Sequence, residues 1–597
     1  MYAALQYLDG VVTSGMGPNG AANGSMTSKL VIRGVDSGTV VMVNGTPINW
    51  RSLYNLENIS PSSVEKVEIV RGGGAVLYGS QATGGVINII TKKVLPNEVK
   101  VGLGDKSKQD YSVSAHAGKA SIAYHYNKWG NMGLISNYET VLNTKSSTPA
   151  HMKQNYLGSE KNDLMLSYKF NDNVDVLYNH NKSVNRWEYK YYDITDPNES
   201  YRNGDIKYAK KFEYEKDFLQ VNFKNDNGLA GHVFYNRNTM DTHAINYYGN
   251  MGTKNDVKNK VPQLKHDKET NNSYGYDIQK IWMQGTQTFL LGSSIIRETY
   301  ETSGSSYKDY GRNIYSIFGS WDKTLTEKDS LTIGGRGTWT QGGPMTFHNF
   351  SGQAQYLHKI NDSQSLYASA GQSFVLPTFS QMYSKSDNEG SIIGNSELRP
   401  QKGTHYELGW KAETPNRSYK LALFTEKIKD KISFVRTQEP DTKKYFYNST
   451  NEDFKNKGIE FSVKSAETNG FGWNAGVTLQ DPETKQTTAR LMKKGYWDHA
   501  YGKFLLNGGV TYNQDKWSTA LNFTYLANRV MTPSDKHSYD MKPYLLTSFS
   551  AKYSPNKISD VILTVENIFN REDVVSHTTS YYYSTPRNFM LSYRYKF

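Results

Sequence analysis

The sequence predicts an all-β membrane protein: an antiparallel transmembrane β-barrel that follows a small N-terminal domain of mixed α and β structure. The chain of 597 residues carries 45 Tyr, 23 Phe and 10 Trp, yet hydrophobic residues make up only 37% of it. A soluble protein of this size needs a more apolar interior, whereas barrel strands alternate apolar with polar residues and end in aromatic girdles. Segments with this alternation recur after Pro96. The sequence contains no apolar run of about eighteen residues, the length that a spanning helix needs.

The charge and composition of the chain argue against several classes of function. The net charge is +12, but Lys and Arg are interspersed with Asp and Glu in tyrosine-rich segments such as 207–217. This pattern is typical of solvated loops and lipid headgroup contacts, so we expect no nucleic-acid partner. Cysteine is absent, which excludes disulfides and thiolate chemistry. Gly72–Gly74 lacks the other residues of a phosphate-binding loop, and no nucleophile–base arrangement is apparent. We therefore expect that the protein is not an enzyme and that it holds no cofactor and no resident metal.

The N-terminal residues predict short strands separated by turns. Leu30–Gly34 and Val40–Gly45 are apolar runs on either side of Asp36–Thr39, which is a hairpin signal. Pro61 is expected to open a short helix toward Glu65. Glycine clusters then mark sharp reversals, because only glycine adopts positive φ without steric cost.

Segment 64–93 carries the most specific motif of the chain. It contains Arg71-Gly72, then Tyr78-Gly79-Ser80, then Gly84-Gly85-Val86-Ile87-Asn88. This order resembles the plug domain of TonB-dependent outer-membrane receptors. In that family, an arginine–glycine turn precedes a tyrosine–glycine–serine and a glycine–glycine–x–isoleucine–asparagine segment.

Later segments resemble the barrel of the same family. Phe374–Pro377 and Asn395–Pro400 resemble two proline-containing boxes, although Val375 replaces the expected arginine and Ser396 the expected second proline. Three further segments match, Lys457–Glu460, Val565–Asn570 and the C-terminal strand ending in Phe597, whereas Thr585–Phe589 lacks the usual glycine. In that last strand Phe589, Leu591, Tyr593 and Tyr595 share one face, and Arg594 and Lys596 share the other. A basic residue facing mid-bilayer lipid costs ~2–4 kcal/mol, so Arg594 and Lys596 are expected to face the lumen or an interface.

The resemblance implies a 22-stranded barrel, residues 96–597, with a plug domain, residues 1–95, inside its lumen. It also implies TonB-dependent active import of a scarce iron complex of the siderophore type across the bacterial outer membrane. Cobalamin and haem remain alternative ligands, and a passive porin or adhesin barrel is the alternative of a different class. The implied partners are the ligand, the TonB–ExbB–ExbD complex and outer-membrane lipids, with a monomeric receptor.

The first residues depart from the family pattern. No signal peptide or TonB box is visible before Leu5, and Asp9 stands where the family has proline. We expect that the chain starts late, as a fragment or from a misassigned start codon.

The resemblance places candidate ligand contacts at the outer apex of the plug domain. They are Asp36 and Ser37 in the turn, and Trp50, Arg51 and Tyr54 further along. Aromatic faces suit a macrocycle or a catecholate, and a guanidinium suits an anionic chelate. Packing against the barrel wall is the alternative.

Haem receptors of the family supply one histidine from the plug and one between the two barrel boxes. Neither 1–95 nor 374–398 contains histidine. Met382 and Tyr383 lie in the second interval and are the candidate barrel-loop ligands.

Three charged residues flank the glycine turn of the plug: Glu65, Glu68 and Arg71. An arginine inside a polar lumen is usually held by carboxylates in paired hydrogen bonds. We expect these residues to anchor the plug to the barrel.

Overall fold

The computed structural model describes residues 5–13, 30–49, 54–56, 59–71, 82–138, 151–192, 194, 197, 202–247, 262–303, 310–343, 345–385, 392–438, 445–485, 497–498, 501–534, 537–577 and 581–597. Trp50, Arg51 and the glycine-rich stretch 72–81 lie outside these residues. No helix in the described part of the chain has the length and apolarity that a membrane crossing requires.

The described part of the plug domain is built from two small sheets. Its strands are β1 (Val11–Thr13), β2 (Leu30–Ile32), β3 (Thr39–Val43), β4 (Thr46–Pro47), β5 (Val64–Val70) and β6 (Gly85–Thr91). β1 pairs with β2, and the other four form a sheet in the order β4-β3-β6-β5, with β3 parallel to β6. The two central strands, β3 and β6, are largely apolar because a central parallel pair is covered on both faces.

Pro61 opens a single 3-10 turn, Pro61–Ser63, and β5 begins directly after it. The structure thus confirms a short helix that begins at Pro61, but this helix ends at Ser63 and Glu65 already lies in a strand. Four of the seven residues of β5 are β-branched, which favours an extended chain, and a short 3-10 turn is a common lead-in to such a strand.

A closed ring of 22 antiparallel strands forms the barrel within the described residues. These strands are β7 (Glu98–Gly104), β8 (Gln109–Ala117), β9 (Ala120–Trp129), β11 (His151–Lys169), β12 (Val174–Tyr192), β13 (Ile206–Lys224), β14 (Leu229–Asn246), β15 (Gln263–Gln284), β16 (Gln287–Thr302), β17 (Tyr310–Thr324), β18 (Asp329–Gln341), β19 (His348–Asn361), β20 (Gln364–Val375), β22 (Gln401–Thr414), β23 (Arg417–Gln438), β24 (Tyr445–Ser465), β25 (Phe471–Gln480), β28 (Phe504–Gln514), β29 (Trp517–Ala527), β32 (Tyr544–Asn556), β33 (Ser559–Glu566) and β36 (Asn588–Lys596). The last strand closes the ring against the first, with Tyr593 opposite Val101.

Short accessory strands and one helix lie in the connections between barrel strands. They are β10 (Gly133–Tyr138), β21 (Ile392–Ile393), β26 (Glu483–Lys485), β27 (Trp497–Asp498), β30 (Arg529–Ser534), β31 (His537–Met541), β34 (Val574–His577), β35 (Tyr581–Tyr583) and the α-helix Phe379–Tyr383.

The two ends of the barrel differ in the length of their connections. One end has two-residue turns at 118–119, 285–286 and 415–416, whereas the other carries long connections such as 376–400. Outer-membrane barrels place short turns in the periplasm and long loops outside the cell. The chain passes from plug to barrel at the short-turn end, where the Phe597 amide donates to the Asn97 carbonyl.

The C-terminal strand confirms the predicted alternation. Phe589, Leu591 and Tyr593 are about half exposed on the outer, lipid-facing surface. Arg594 and Lys596 face inward, where both contact Asp560, at 2.5 and 3.0 Å.

The plug domain lies inside the ring because its residues contact the inner faces of well-separated strands. The Gln220 amide of β13 donates to Thr46 Oγ1 at 2.6 Å. The Thr524 hydroxyl of β29 donates to the Gln6 carbonyl at 2.8 Å. A domain that reaches both walls spans the lumen between them.

Candidate functional site: the interface between plug and barrel

A tight turn of the plug carries one arginine to the barrel wall. Ile32 and Val35 exchange both backbone hydrogen bonds, at 3.3 and 3.0 Å. The two residues between them, Arg33 and Gly34, have φ of 51° and 75°. Two consecutive positive φ values define the type I′ turn of a two-residue hairpin. A Cβ on Gly34 would lie 2.4 Å from Pro482 Cβ, so the turn approaches the wall too closely for any other residue.

Arg33 joins two carboxylates of the barrel. Its Nε and Nη2 donate to Glu460 at 3.1 and 2.7 Å, and Nη2 also lies 2.7 Å from Glu407 Oε2. The guanidinium lies 4.1 Å from the ring centroid of Phe424, and Asn456 donates to the Arg33 carbonyl at 2.6 Å. Burial disfavours the charged guanidinium, but the carboxylates outweigh this effect and raise the pKa of Arg33 above its ordinary value.

The structure places the three predicted anchors differently from one another. Arg71 Nη1 lies 3.8 Å from Glu460 Oε2, and Nη2 donates to the Asp9 carbonyl. Glu68 contacts Lys66 at 2.7 Å and Asn88 at 3.2 Å, both within the plug. Glu65 is exposed. Of the three predicted anchors, Arg71 is thus the one that these contacts connect to the barrel, through Glu460.

Sequence reasoning missed Arg33 as an anchor. The run Ile32–Gly34 predicts the end of a strand, although Gly34 directly after Arg33 is also a turn signal. The two carboxylates were not predictable, because Glu407 and Glu460 lie more than 370 positions away along the chain.

The turn residues Asp36 and Ser37 contact the extracellular part of the wall. Asp36 Oδ1 lies 2.5 Å from Lys431 Nζ, and the Tyr501 hydroxyl donates to Asp36 Oδ2 at 2.8 Å. The Ser37 hydroxyl donates to Gln401 Oε1 at 3.3 Å. Both side chains therefore take part in the polar interface between plug and barrel.

Tyr54 lies in the apolar core of the plug. Its side chain is 4% exposed, and its hydroxyl accepts a hydrogen bond from the Leu30 amide at 2.7 Å. These contacts account for Tyr54 through packing within the plug. The neighbouring candidates Trp50 and Arg51 lie outside the described residues.

Met382 and Tyr383 end the short helix in the connection between β20 and β22. Thr378 and Gln381 close its first turn as a capping box. Met382 is buried in an apolar cluster with Phe374 and Leu398. The Tyr383 ring stacks on Tyr310, with centroids 4.6 Å apart.

An aromatic wall lines the lumen near the extracellular end of β12 and β13. Gln220 contacts the plug, so the even-numbered positions of β13 face inward. Tyr208, Lys210, Phe212 and Tyr214 share this face and pack with Trp187 of β12. Lys210 Nζ lies 4.3 Å from the Phe212 ring centroid and 5.8 Å from that of Trp187. Segment 187–192 is the extracellular end of β12.

Two family profiles match the chain. The plug domain profile of TonB-dependent receptors matches residues 1–86, and the β-barrel profile of TonB-dependent receptor-like proteins matches residues 120–570. The second match alone covers more than half of the chain.

Curated relatives extend over nearly the whole sequence. The vitamin B12 transporter BtuB of Vibrio vulnificus is 22% identical over 619 residues, covering 99% of this chain and 89% of the relative. BtuB of Vibrio cholerae is 23% identical over 594 residues, covering 96% and 86%.

Solved structures share the fold at low identity. The ferric enterobactin receptor PfeA of Pseudomonas aeruginosa has a TM-score of 0.71 at 15% identity, covering all of this chain and 96% of that one. The siderophore receptor PirA of Acinetobacter baumannii has a TM-score of 0.69 at 16% identity, covering 100% and 96%. Members of this family are receptors and transporters, which are not enzymes. The chain belongs to the TonB-dependent receptor family and is a protein of the outer membrane.

Proposed function

We propose that this receptor actively imports a bulky, metal-centred ligand across the outer membrane. The observation that carries the proposal is the plug domain held in the lumen by Arg33 between Glu407 and Glu460. A passive porin needs a permanently open lumen, whereas here a domain that contacts both β13 and β29 lies across the lumen. The occupied lumen favours gated import over the porin or adhesin alternative.

The interface is suited to a plug that moves. Ion pairs and hydrogen bonds connect the plug to the wall at Arg33, Asp36, Ser37 and Thr46. Water can replace such contacts one by one, whereas an apolar interface would lose its full buried area at once. Breaking a buried ion pair by removing one partner costs ~3–5 kcal/mol, so displacement requires external work. We infer that TonB–ExbB–ExbD supplies this work and that one receptor chain acts as a monomer.

Cobalamin is the ligand that we propose first. The two BtuB relatives, which match nearly the whole chain, are vitamin B12 transporters. The solved siderophore receptors match at 15–16% identity, so they support the shared fold and not a particular ligand.

A ferric siderophore is the second candidate. The aromatic wall places the ammonium of Lys210 beside Phe212 and Trp187. Aromatic faces next to a cation suit an anionic, aromatic iron chelate. Trp50 and Arg51 remain proposed ligand contacts, and Asp36 and Ser37 are proposed to link ligand contact to the wall.

Growth of a receptor-deletion strain that expresses this chain behind an added signal peptide and TonB box tests the proposal. The strain receives cyanocobalamin, or a ferric catecholate, as its only source of cobalamin or iron, in hosts with and without TonB. We expect growth on cyanocobalamin only when both receptor and TonB are present. Growth that does not need TonB, or a large steady conductance of the intact receptor in planar bilayers, would refute active import. Growth on the ferric catecholate alone would select the second ligand.

A further inference from the structure

Two histidines and an aspartate meet on the outer surface of the barrel. His243 of β14 and His266 of β15 are directly opposite in the antiparallel ladder. Their rings lie parallel within 10°, with centroids 4.5 Å apart. Asp241 precedes His243 by two residues and therefore shares its face of the strand. Asp241 Oδ1 lies 3.1 Å from His243 Nε2 and 2.6 Å from His266 Nε2.

This group faces away from the lumen and lies beyond the membrane. Val233 and Tyr235 are exposed on the lipid side of β14, and the register with β15 has no shift up to His243. Tyr235 is paired with Tyr274, and both rings mark the outer aromatic girdle. Six residues of tilted strand place Asp241 about 15 Å beyond that girdle. The imidazoles are 48% and 55% exposed, so solutes reach them.

The donor set fits a transition-metal ion. Two ligand atoms on a tetrahedral zinc ion, each about 2.0–2.1 Å from the metal, are about 3.3 Å apart. The donor atoms of Asp241, His243 and His266 all lie within 4.8 Å of one another, so small rotations of the side chains suffice to seat an ion. Imidazole nitrogen favours Zn²⁺, Cu²⁺ or Ni²⁺ over Mg²⁺ or Ca²⁺. A water molecule completes such a site from the exposed side.

Neighbouring charges limit the affinity without blocking the site. Lys211 is opposite His243, but its ammonium pairs with Glu213 of the same strand. Lys268 is opposite Asp241, so one positive charge remains next to the carboxylate. We therefore expect micromolar rather than nanomolar binding.

We propose that Asp241, His243 and His266 form a surface binding site for a divalent transition-metal ion of the zinc type. The bound ion bridges β14 and β15 three residue pairs below the end of their ladder, where Asn246 is opposite Gln263. It links the two strands where they rise above the membrane. The site is separate from the lumen and does not depend on the imported ligand.

Zinc titration of the full-length receptor in detergent tests this site. Calorimetry on the wild type is compared with D241N, H243A, H266A and the double variant H243A/H266A. The matched control is H358A, because His358 makes one contact to one carboxylate, Asp329, at 2.8 Å. We expect at least a tenfold loss of zinc affinity in each site variant and none in H358A. Equal zinc binding by the wild type and the double variant would overturn the proposal.

A second group on the same surface supplies an internal contrast. His180, Glu215 and Asp217 also bring three donors together, but with a single imidazole. We expect H180A to bind zinc with the affinity of the wild type. Loss of zinc binding in H180A would place the metal at the second group and overturn the proposal.

Chemical protection of the wild type avoids the question of whether variants fold. Zinc should shield His243 and His266 from diethylpyrocarbonate, as read by mass spectrometry, while modification of His358 continues. Unchanged modification of both histidines at saturating zinc would overturn the assignment.

Discussion

Arg33 and Glu460 form a two-point ion pair between plug and barrel, with Nε and Nη2 of the arginine 3.1 and 2.7 Å from the two carboxylate oxygens. They are separated by 427 positions of sequence. Arg33 is 4% exposed and the Glu460 side chain 11%. A buried ion pair is expensive to break by removing one partner, and Glu460 would then keep only weaker contacts such as that with Arg71, at 3.8 Å. The pair therefore holds the plug as long as no outside force acts on it.

Replacing Arg33 should loosen the plug. In R33M, Glu407 and Glu460 lose their shared cation and repel each other, which costs about 3–5 kcal/mol. We expect plug release, read as the appearance of channel conductance in planar bilayers, at a clearly lower urea concentration than in the wild type.

The matched control for R33M is K66M. Lys66 also pairs with a glutamate, Glu68, at 2.7 Å, but within the plug and at its exposed surface. Its replacement should leave the urea midpoint unchanged. A wild-type midpoint in R33M would contradict the proposed role of Arg33.

Asp36 can be assigned to anchoring or to ligand contact by one comparison. Lys431 is almost fully buried beside it, so D36N leaves a buried ammonium without its counter-ion and should lower the urea midpoint. The double variant D36N/K431M should recover part of the loss, because the unpaired charge is then gone. Unchanged plug release with weaker ligand binding in D36N would instead assign Asp36 to the ligand.

The alternation of outward apolar and inward polar residues could be predicted from the sequence. Phe589 to Tyr595 illustrate why, since period-two patterning follows directly from strand geometry. The strand number came from family resemblance, because alternation alone does not count strands. The plug strands β2 and β3 also lie where the apolar runs predict them. The predicted hairpin around Asp36–Thr39 is wrong, because β2 pairs with β1 and β3 pairs with β4 and β6 in a separate sheet.

The contacts of the site were less predictable. Lys431 faces Asp36 and Glu460 faces Arg33 only because the closed barrel brings distant strands around the plug. The group of Asp241, His243 and His266 also forms only in the folded barrel. His243 and His266 show no ligand spacing along the chain and become neighbours through the pairing of β14 with β15.

Gly34 should be intolerant of any side chain. G34A meets Pro482 at 2.4 Å and also forces alanine to a φ of 75°. The variant G118A provides the comparison, because Gly118 has φ of 57° but no atom near the added methyl group. Both carry the backbone strain of about 1 kcal/mol, so a larger loss in G34A measures the steric contact with the wall. We expect the urea midpoint of plug release to fall in G34A and to stay near wild type in G118A.

Removing one hydroxyl should separate packing from ligand contact at Tyr54. In Y54F the buried Leu30 amide loses its acceptor, and an unsatisfied buried amide costs about 1–3 kcal/mol. The same change in Y383F should be nearly neutral, because the Tyr383 hydroxyl is buried without a hydrogen-bond partner among the described residues. We expect lower protection of the plug amides in hydrogen exchange for Y54F, with ligand affinity unchanged. Weaker cyanocobalamin or siderophore binding in Y54F at unchanged amide protection would place Tyr54 in the ligand site instead. Loss of ligand binding in Y383F would do the same for the short helix.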